Sequence, residues 1–564
     1  MNFNKNAKKL RLVHVLKNFT IWTKFIFDFL GLYRLWASVM NFFLQKGRVG
    51  IKYGDRMIYR QYTQVFRNAF IRKNQSQDNR EVLFFFAMGA ESTYNSRNLM
   101  LAKFFELKDW NAEFLICDGV FSLCHKERIG KTRKNSSLLC FECNYGYNDV
   151  ERHTGMRFLK LGNFSSGVES EIQEVSNRLD TEIKAIQDCV DFRYDDYEVG
   201  EIVKVSVLRY HYTGHLSENY LGIYKKYILE AVRCMLLFQS FLEERKKDLV
   251  VFWNGAGFMD RMASAVCKKK GIDFVTQESF WGDSSWIYKK NGIAIHLDFE
   301  KEYDLFGKHL PFELKDKVRI KELINSFRGS HDADKAFDVS KELGIKDNEK
   351  FVVLFTNMNF DTYVLGRDKI FSSMTDWVVK TIEFWKMRNP QMKLVIRAHP
   401  GELKFVTPSS DFVRDIVKPL KFDNLIFIDS DNPTDSYGLV NNAEAVLVYS
   451  STIGVESILM GKHVVSSGTS FYDKFVEKPS DLVGYYKLLD NIMANSFSTN
   501  HDLDEMMKYL NFIYFHRIVN LKGMGINRIT GENYIDTTIN AEELINLNQS
   551  QLNSFYFEVV NGAI

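Results

Sequence analysis

Residues 446–457 read VLVYSSTIGVES: an apolar run ending at Tyr449, a turn of small hydroxyl residues, and a helical pattern from about Ile453. A short uncharged run bounded by turn residues is the pattern of a strand buried on both faces, and a strand passing straight into a helix is half of a βαβ unit. The stretch LVIRAHPGE at 394–402 has the same form, with Pro400 stopping the strand.

Working outward, KFVVLFTN (350–357), NLIFIDS (424–430) and GKHVVSSG (461–468) are further strands, with MTDWVVKTIEFWKMRN (374–389) and TIGVESILM (452–460) as helices between them. Upstream, EVLFFFAMG (81–89) and AEFLICDG (112–119) flank a helical stretch to about 108. DLVVFWNGAG (248–257) and GIDFVTQES (271–279) bracket the helix FMDRMASAVCKKK, and long helices are expected over 165–190 and 217–247. The fold class is therefore α/β, with two Rossmann-like domains facing each other across a cleft and an N-terminal helical extension. Boundaries are expected at 1–80 for the extension, 81–305 and 306–490 for the two domains, and 491–564 for C-terminal helices and tail. The polar, charged stretch at about 305–348 marks the passage between domains.

A chain of 564 residues exceeds one ordinary core. Its 74 Lys and Arg nearly balance 71 Asp and Glu, so overall charge gives no reason to expect nucleic acid as a partner. The seven cysteines are an odd number scattered through the first half, the pattern of reduced cytoplasmic thiols. The one CxxC, CFEC at 140–143, lacks a second ligand pair nearby in sequence and reads as a packed or surface thiol pair.

The first 24 residues hold six Lys or Arg and no acid; Trp22, Phe25, Phe29, Leu32, Trp36, Met40 and Phe43 then recur at helical spacing. Lys24, Asp28 and Arg34 interrupt the run, so it offers no clean stretch of about 20 apolar residues to cross a bilayer. Residues 1–45 read either as a basic amphipathic helix on an anionic membrane surface or as a helix packed on its own domain. The first reading makes the protein cytoplasmic and peripheral on the inner face of the membrane.

In the Tyr449 turn, backbone N–H groups at a helix start would point into the cleft, and Ser450, Ser451 and Thr452 add side-chain donors, which makes a phosphate site. Glu456, one turn on, is placed to accept from ribose hydroxyls, while Gly454 and Gly461 allow close approach. His399, projecting from a strand tip set by Pro400, can donate to a phosphate oxygen and stabilise charge on a departing nucleotide. Ser and Thr are also ordinary helix caps, and a strand-end His-Pro is often structural.

These residues resemble a known family. LFTNMNFDTYVLGRDKIFSSMTDWVVKTIEFW, LVIRAHPGE and DSYGLVNNAEAVLVYSSTIGVESILMGKHVVSSG are similar, over roughly 350–475, to the C-terminal half of bacterial capsule and surface-polysaccharide glycosyltransferases. These are GT-B enzymes, a grouping that includes Kdo transferases of capsule assembly. The resemblance implies inverting transfer from a nucleotide-sugar donor seated on the later domain to an oligosaccharide or lipid-linked glycan acceptor on the first, with no cofactor and no metal. It gives His399 and the Ser450–Thr452 turn the phosphate and Glu456 the ribose, with Arg397 and the Ser436-Tyr437 loop near the nucleotide. A His-Pro with a serine turn is also similar to sialyltransferases that use CMP-sugars, which favours a cytidine nucleotide.

Asn357 and Asp361 are expected to face the same cleft, Asp361 alternatively serving as a loop cap. Inverting transfer needs a base for the acceptor proton. Glu91, after the first strand, is the candidate, with Glu278 and Asp118 as rivals at equivalent strand tips. Asp429 and Asp431 imitate a metal-binding DxD but follow the His-Pro and read as a loop cap. The alternatives are a CDP-polyol phosphotransferase of teichoic-acid type, a nucleotide-sugar 2-epimerase, and a non-catalytic nucleotide- or glycan-binding scaffold.

Overall fold

The computed structural model describes residues 64–70, 80–86, 92–124, 136–280, 284–327, 338–346, 349–403, 411–497, 502–526 and 533–561. Nearly all of the N-terminal extension, and Glu91, lie outside them.

Two sheets organise the chain. The first contains β1 (Arg80–Phe86), β2 (Trp110–Ile116), β3 (Phe158–Lys160), β4 (Leu249–Val251), β5 (Asp273–Ser279) and β6 (Ser285–Lys290). The second contains β7 (Phe351–Phe355), β8 (Lys393–Arg397), β9 (Leu425–Ile428), β10 (Ala445–Val448) and β11 (His463–Ser466). A returning strand, β12 (Ile518–Asn520), completes the first sheet in the order β12-β6-β5-β4-β1-β2-β3. The second runs β11-β10-β7-β8-β9, all parallel. In both, the first strand is central and the order reverses beside it, between β1 and β4 and between β7 and β10. This doubly wound topology puts a crevice at the carboxyl ends of each such pair.

Composition explains the layers. β7 and β10 are buried at every position, as strands covered by helices on both faces must be. The helix Met374–Arg388 begins where Ser373 accepts from the Asp376 N–H at 3.1 Å, ends at Asn389 in the left-handed conformation, and buries Trp377 and Trp385 on the sheet.

From β12 onward the chain returns to the first domain. β12 pairs antiparallel with β6, opposing Ile518 to Ile287. The helix Gln549–Asn561 turns Leu552, Phe555 and Val559 inward, with the Phe555 ring 5.2 Å from Trp286 and 4.7 Å from Tyr288. Tyr556 accepts from Trp110 Nε1 at 2.9 Å. A capping box at Asn540 and Glu543 starts the preceding helix, Ala541–Leu547. The C-terminal segment thus carries one apolar stripe that closes the core over β1 and β2.

The two domains meet where the helix Val199–His211 and its following turn face the loop after β7. Val205 and Leu208 pack on Leu365, and the Tyr212 ring stands 4.8 Å from Phe360. Arg367 reaches the His296 carbonyl at 3.2 Å and Asp298 at 2.8 Å. Among the described residues no helix is long and apolar enough to cross a membrane.

Candidate nucleotide site

β7 and β10 end side by side, with Phe355 opposite Val448. Two residues beyond each strand end, the Asn357 side-chain oxygen accepts the Ser450 N–H at 3.3 Å. Asn357 is itself buried, and its N–H is directed at Met374 Sδ at 3.0 Å. Ser450 is buried, and among the described residues its Oγ has no hydrogen-bond partner. Ser451 and Thr452 follow, half-buried, and the helix Ile453–Leu459 starts behind them. Among the described residues no hydrogen-bond acceptor meets the Ser451 and Thr452 N–H groups. Together these leave one hydroxyl and two backbone amides without a protein partner among the described residues.

The two glycines of this segment act differently from the expectation. A Cβ on Gly454 would sit 2.9 Å from Tyr472 Cζ, so Gly454 makes room for Tyr472, whose hydroxyl donates to the Ser451 carbonyl. Gly461 has φ +77° with open space around it and ends the helix rather than admitting a ligand.

β8 brings His399 to the same end. Its N–H donates to Thr356 Oγ1 at 3.0 Å, and its Nδ1 accepts the Gly401 N–H at 2.9 Å. With Nδ1 an acceptor, the neutral ring carries its proton on Nε2, the tautomer suited to donate to an oxyanion. Pro400 opens the short turn Pro400–Leu403 that makes the Gly401 contact possible. In this turn Glu402 is fully buried, accepts the Val413 N–H at 3.4 Å, and has its carboxyl pushed up to about 7 by burial.

Glu456 accepts from the Tyr437 hydroxyl, so those two expected residues meet across the starts of neighbouring helices. Asp435 caps the Ser436–Asn442 helix by accepting from Tyr437 N–H and Gly438 N–H, each at 3.0 Å. Arg397 is only 4% exposed, and its guanidinium donates to the Asp429 and Asn432 carbonyls. It holds the loop after β9 in place. Asp361 accepts the Tyr363 N–H at 2.9 Å, a turn within its own loop. Asp429 accepts from Ser430 N–H at 2.7 Å and faces Arg414 at 3.6 Å.

The first domain presents its own strand ends. Glu278 accepts from Asn254 Nδ2 at 2.8 Å and from the Ser279 N–H at 2.7 Å. Asp118 accepts the Gly162 N–H at 3.1 Å; burial raises its pKa against that bond and the nearby Lys160. Cys117, after β2, lies near Cys124, Cys140 and Cys143, a gathering of thiols that the spacing of the CxxC alone did not reveal; the described cysteines form no disulfide.

Sequence reasoning passed over the residues that join the domains. Thr213 Oγ1 donates to Asp411 Oδ2, which also lies 3.2 Å from His215 Nδ1, and Asn359 Nδ2 donates to the Asp411 carbonyl at 2.6 Å. Their only local signal is HYTGH after a helix, too short to read. Two surface depressions, of about 570 and 510 Å³, lie elsewhere. One includes His463, at the amino end of β11, and the other flanks the β6–β12 edge.

Two doubly wound domains with a polar turn at the second switch point define the GT-B architecture. Residues 289–475, about a third of the chain, match the family model described as capsule polysaccharide biosynthesis protein. Among solved structures, the chain is similar to Thermosulfurimonas dismutans KpsC, beta Kdo 2,7 transferase, at 15% identity over 56% of this chain and 88% of that one, with a TM-score of 0.32. The beta Kdo 2,4 transferase of the same KpsC gives 12%, 53%, 88% and 0.32. UDP-GlcNAc 2-epimerase from Neisseria meningitidis bound to UDP-GlcNAc gives 11%, 78%, 99% and 0.25. No curated protein sequence matches the chain.

Proposed function

We propose that this chain is a glycosyltransferase of capsule or related surface-polysaccharide assembly, seating a nucleotide-sugar on the later domain and passing the sugar to a glycan acceptor on the first. The observation that carries this reading is the Asn357–Ser450 junction. It stands at a switch point, buries a hydroxyl without a partner, and lies on the strand-end face that also carries His399.

In this reading the Ser450–Thr452 turn and His399 Nε2–H hold the donor phosphate, and the Tyr437–Glu456 pair meets the ribose. Charge on the leaving nucleotide is met by these donors, so the reading invokes no metal; full activity in EDTA is the expected result. The resemblance to CMP-sugar enzymes favours a cytidine nucleotide, and CMP-Kdo is the donor to try first. One phosphate turn favours direct displacement with inversion, which the anomeric configuration of the product decides; because the anomeric carbon of Kdo bears no proton, it is read by NMR from the H3 signals and the C1–H3 coupling. Attachment to the inner membrane face through residues 1–45 is tested by deleting them and assaying the membrane fraction at low and high salt.

Calorimetry with CMP, CDP, UDP and ADP is the deciding experiment. His399→Ala or Ser451→Ala should weaken binding roughly tenfold to a hundredfold by removing charge-assisted hydrogen bonds. Unchanged affinity in both variants would overturn the donor site, and preference for UDP would overturn the cytidine assignment.

A further inference from the structure

The proton of the acceptor hydroxyl needs a destination, and two of the expected carboxylates are engaged elsewhere. Asp118 is bonded to the Gly162 amide, and both oxygens of Glu278 accept from Asn254 and Ser279. A different group stands at the domain junction. His215, from the turn after the helix Val199–His211, is 46% exposed at its side chain, and its Nδ1 lies 3.2 Å from Asp411 Oδ2 of the later domain, whose side chain is 14% exposed.

Asp411 is connected to both loops that frame the candidate nucleotide site. Its carbonyl accepts from Asn359, two residues beyond Asn357, and Gly214 packs directly against Asn359. Two residues after Asp411, Val413 donates to Glu402 in the turn that opens with Pro400, next to His399. A carboxylate holding Nδ1 leaves Nε2 as the basic nitrogen, the arrangement by which an acid orients a histidine base.

We propose that His215, oriented by Asp411, is the general base that takes the proton from the acceptor hydroxyl. The inference rests on the glycosyl-transfer reading. As the acceptor oxygen bonds to the anomeric carbon, its proton passes to His215 Nε2. The bond from that carbon to the donor phosphate oxygen breaks with its electron pair leaving on the nucleotide, and the imidazolium later returns the proton to water. Asp411 is the positioning residue. Among the described residues it is the charged group facing the ring from the later domain, while the Thr213 hydroxyl, 3.3 Å from Nδ1, faces it from its own turn. The Asp411 hydrogen bond raises the imidazole pKa above its ordinary 6.5, and that bond with the one from Thr213 holds Asp411 low against its burial.

The test compares the full-length wild type with His215→Gln, Asp411→Asn and Glu91→Gln, using CMP-Kdo and a Kdo-terminated glycolipid acceptor, with CMP binding measured separately. His215→Gln should lower kcat at least a hundredfold while leaving CMP affinity within about twofold. Asp411→Asn should lower kcat less and move the acidic limb of the kcat profile to lower pH, because the group that raises the imidazole pKa is gone. An active His215→Gln enzyme with an unshifted profile, or loss of activity in Glu91→Gln alone, overturns the assignment. So does a His215→Gln variant whose small-angle scattering shows the domains apart and whose loss lies in KM, since that marks a latch. Wild type that binds no nucleotide defeats the transfer reading itself, and this inference falls with it.

Discussion

Asn357 and Ser450, 93 residues apart, meet through a 3.3 Å hydrogen bond at the crevice between β7 and β10, side-chain oxygen to backbone N–H. The bond shapes the turn proposed to take the donor phosphate. Asn357→Ala should leave a buried N–H unpaired and cost about 1–3 kcal/mol in denaturant unfolding. Asn357→Asp keeps an acceptor yet places negative charge where an anion is expected, so it should retain more stability and still lose at least tenfold in CMP affinity. Equal CMP binding by the Asp variant and wild type would show that the phosphate sits elsewhere.

Gly454 has a packing role that can be measured without any ligand. A methyl group there would press on Tyr472, whose hydroxyl bonds to the Ser451 carbonyl. Gly454→Ala should destabilise the chain by about 1–3 kcal/mol. Combined with Tyr472→Phe, which removes the nearest atom, the two effects should fall short of additive; strict additivity in thermal melts would mean that the contact does not form.

Arg517 ties the returning segment to the first domain. It is 2% exposed, pairs with Glu558, and lies over the rings of Tyr288 at 5.0 Å and Phe299 at 4.9 Å. Arg517→Met should cost about 3–5 kcal/mol, since one charge of a buried pair loses its partner. Adding Glu558→Met should recover part of that loss, as read by chemical denaturation.

Glu402 should make stability fall with rising pH. Burial pushes its carboxyl from 4.5 up to about 7, so the folded chain holds a proton that the unfolded chain has already released. Its contribution is fully present below the unfolded pKa and is lost as pH climbs from about 4.5 to 7. Glu402→Gln keeps an oxygen for the Val413 N–H, and it should flatten this slope and be more stable than wild type at pH 8 by up to about 3 kcal/mol. Parallel unfolding curves for the two proteins across pH 5 to 8 would rule this out.

The strands and the helices between them were legible because burial leaves a local imprint. Runs such as LVIR and VLVY contain residues that must be covered on both faces, and the small or cyclic residues at their ends can only turn. From such runs follow the two α/β domains, and the places of His399, the Ser450 turn and Glu456 at strand ends or first helical turns. The finer roles of glycines were not legible. Gly454 answers to Tyr472, eighteen residues on, and nothing in its own neighbourhood says so.

Tertiary structure alone decided what the polar residues do. Arg397 looked like a ligand group, and the fold turns it onto the Asp429 and Asn432 carbonyls. In the C-terminal tail, Leu552, Phe555 and Val559 fall on one helical face and close the first core, with β12 completing the sheet. Thr213 and Asp411 are 198 residues apart and meet only because the two domains pack against each other. Periodic burial is written into neighbouring residues and can be read from them. A hydrogen bond between distant side chains has no period, and it exists only once the backbone has brought donor and acceptor within about 3 Å.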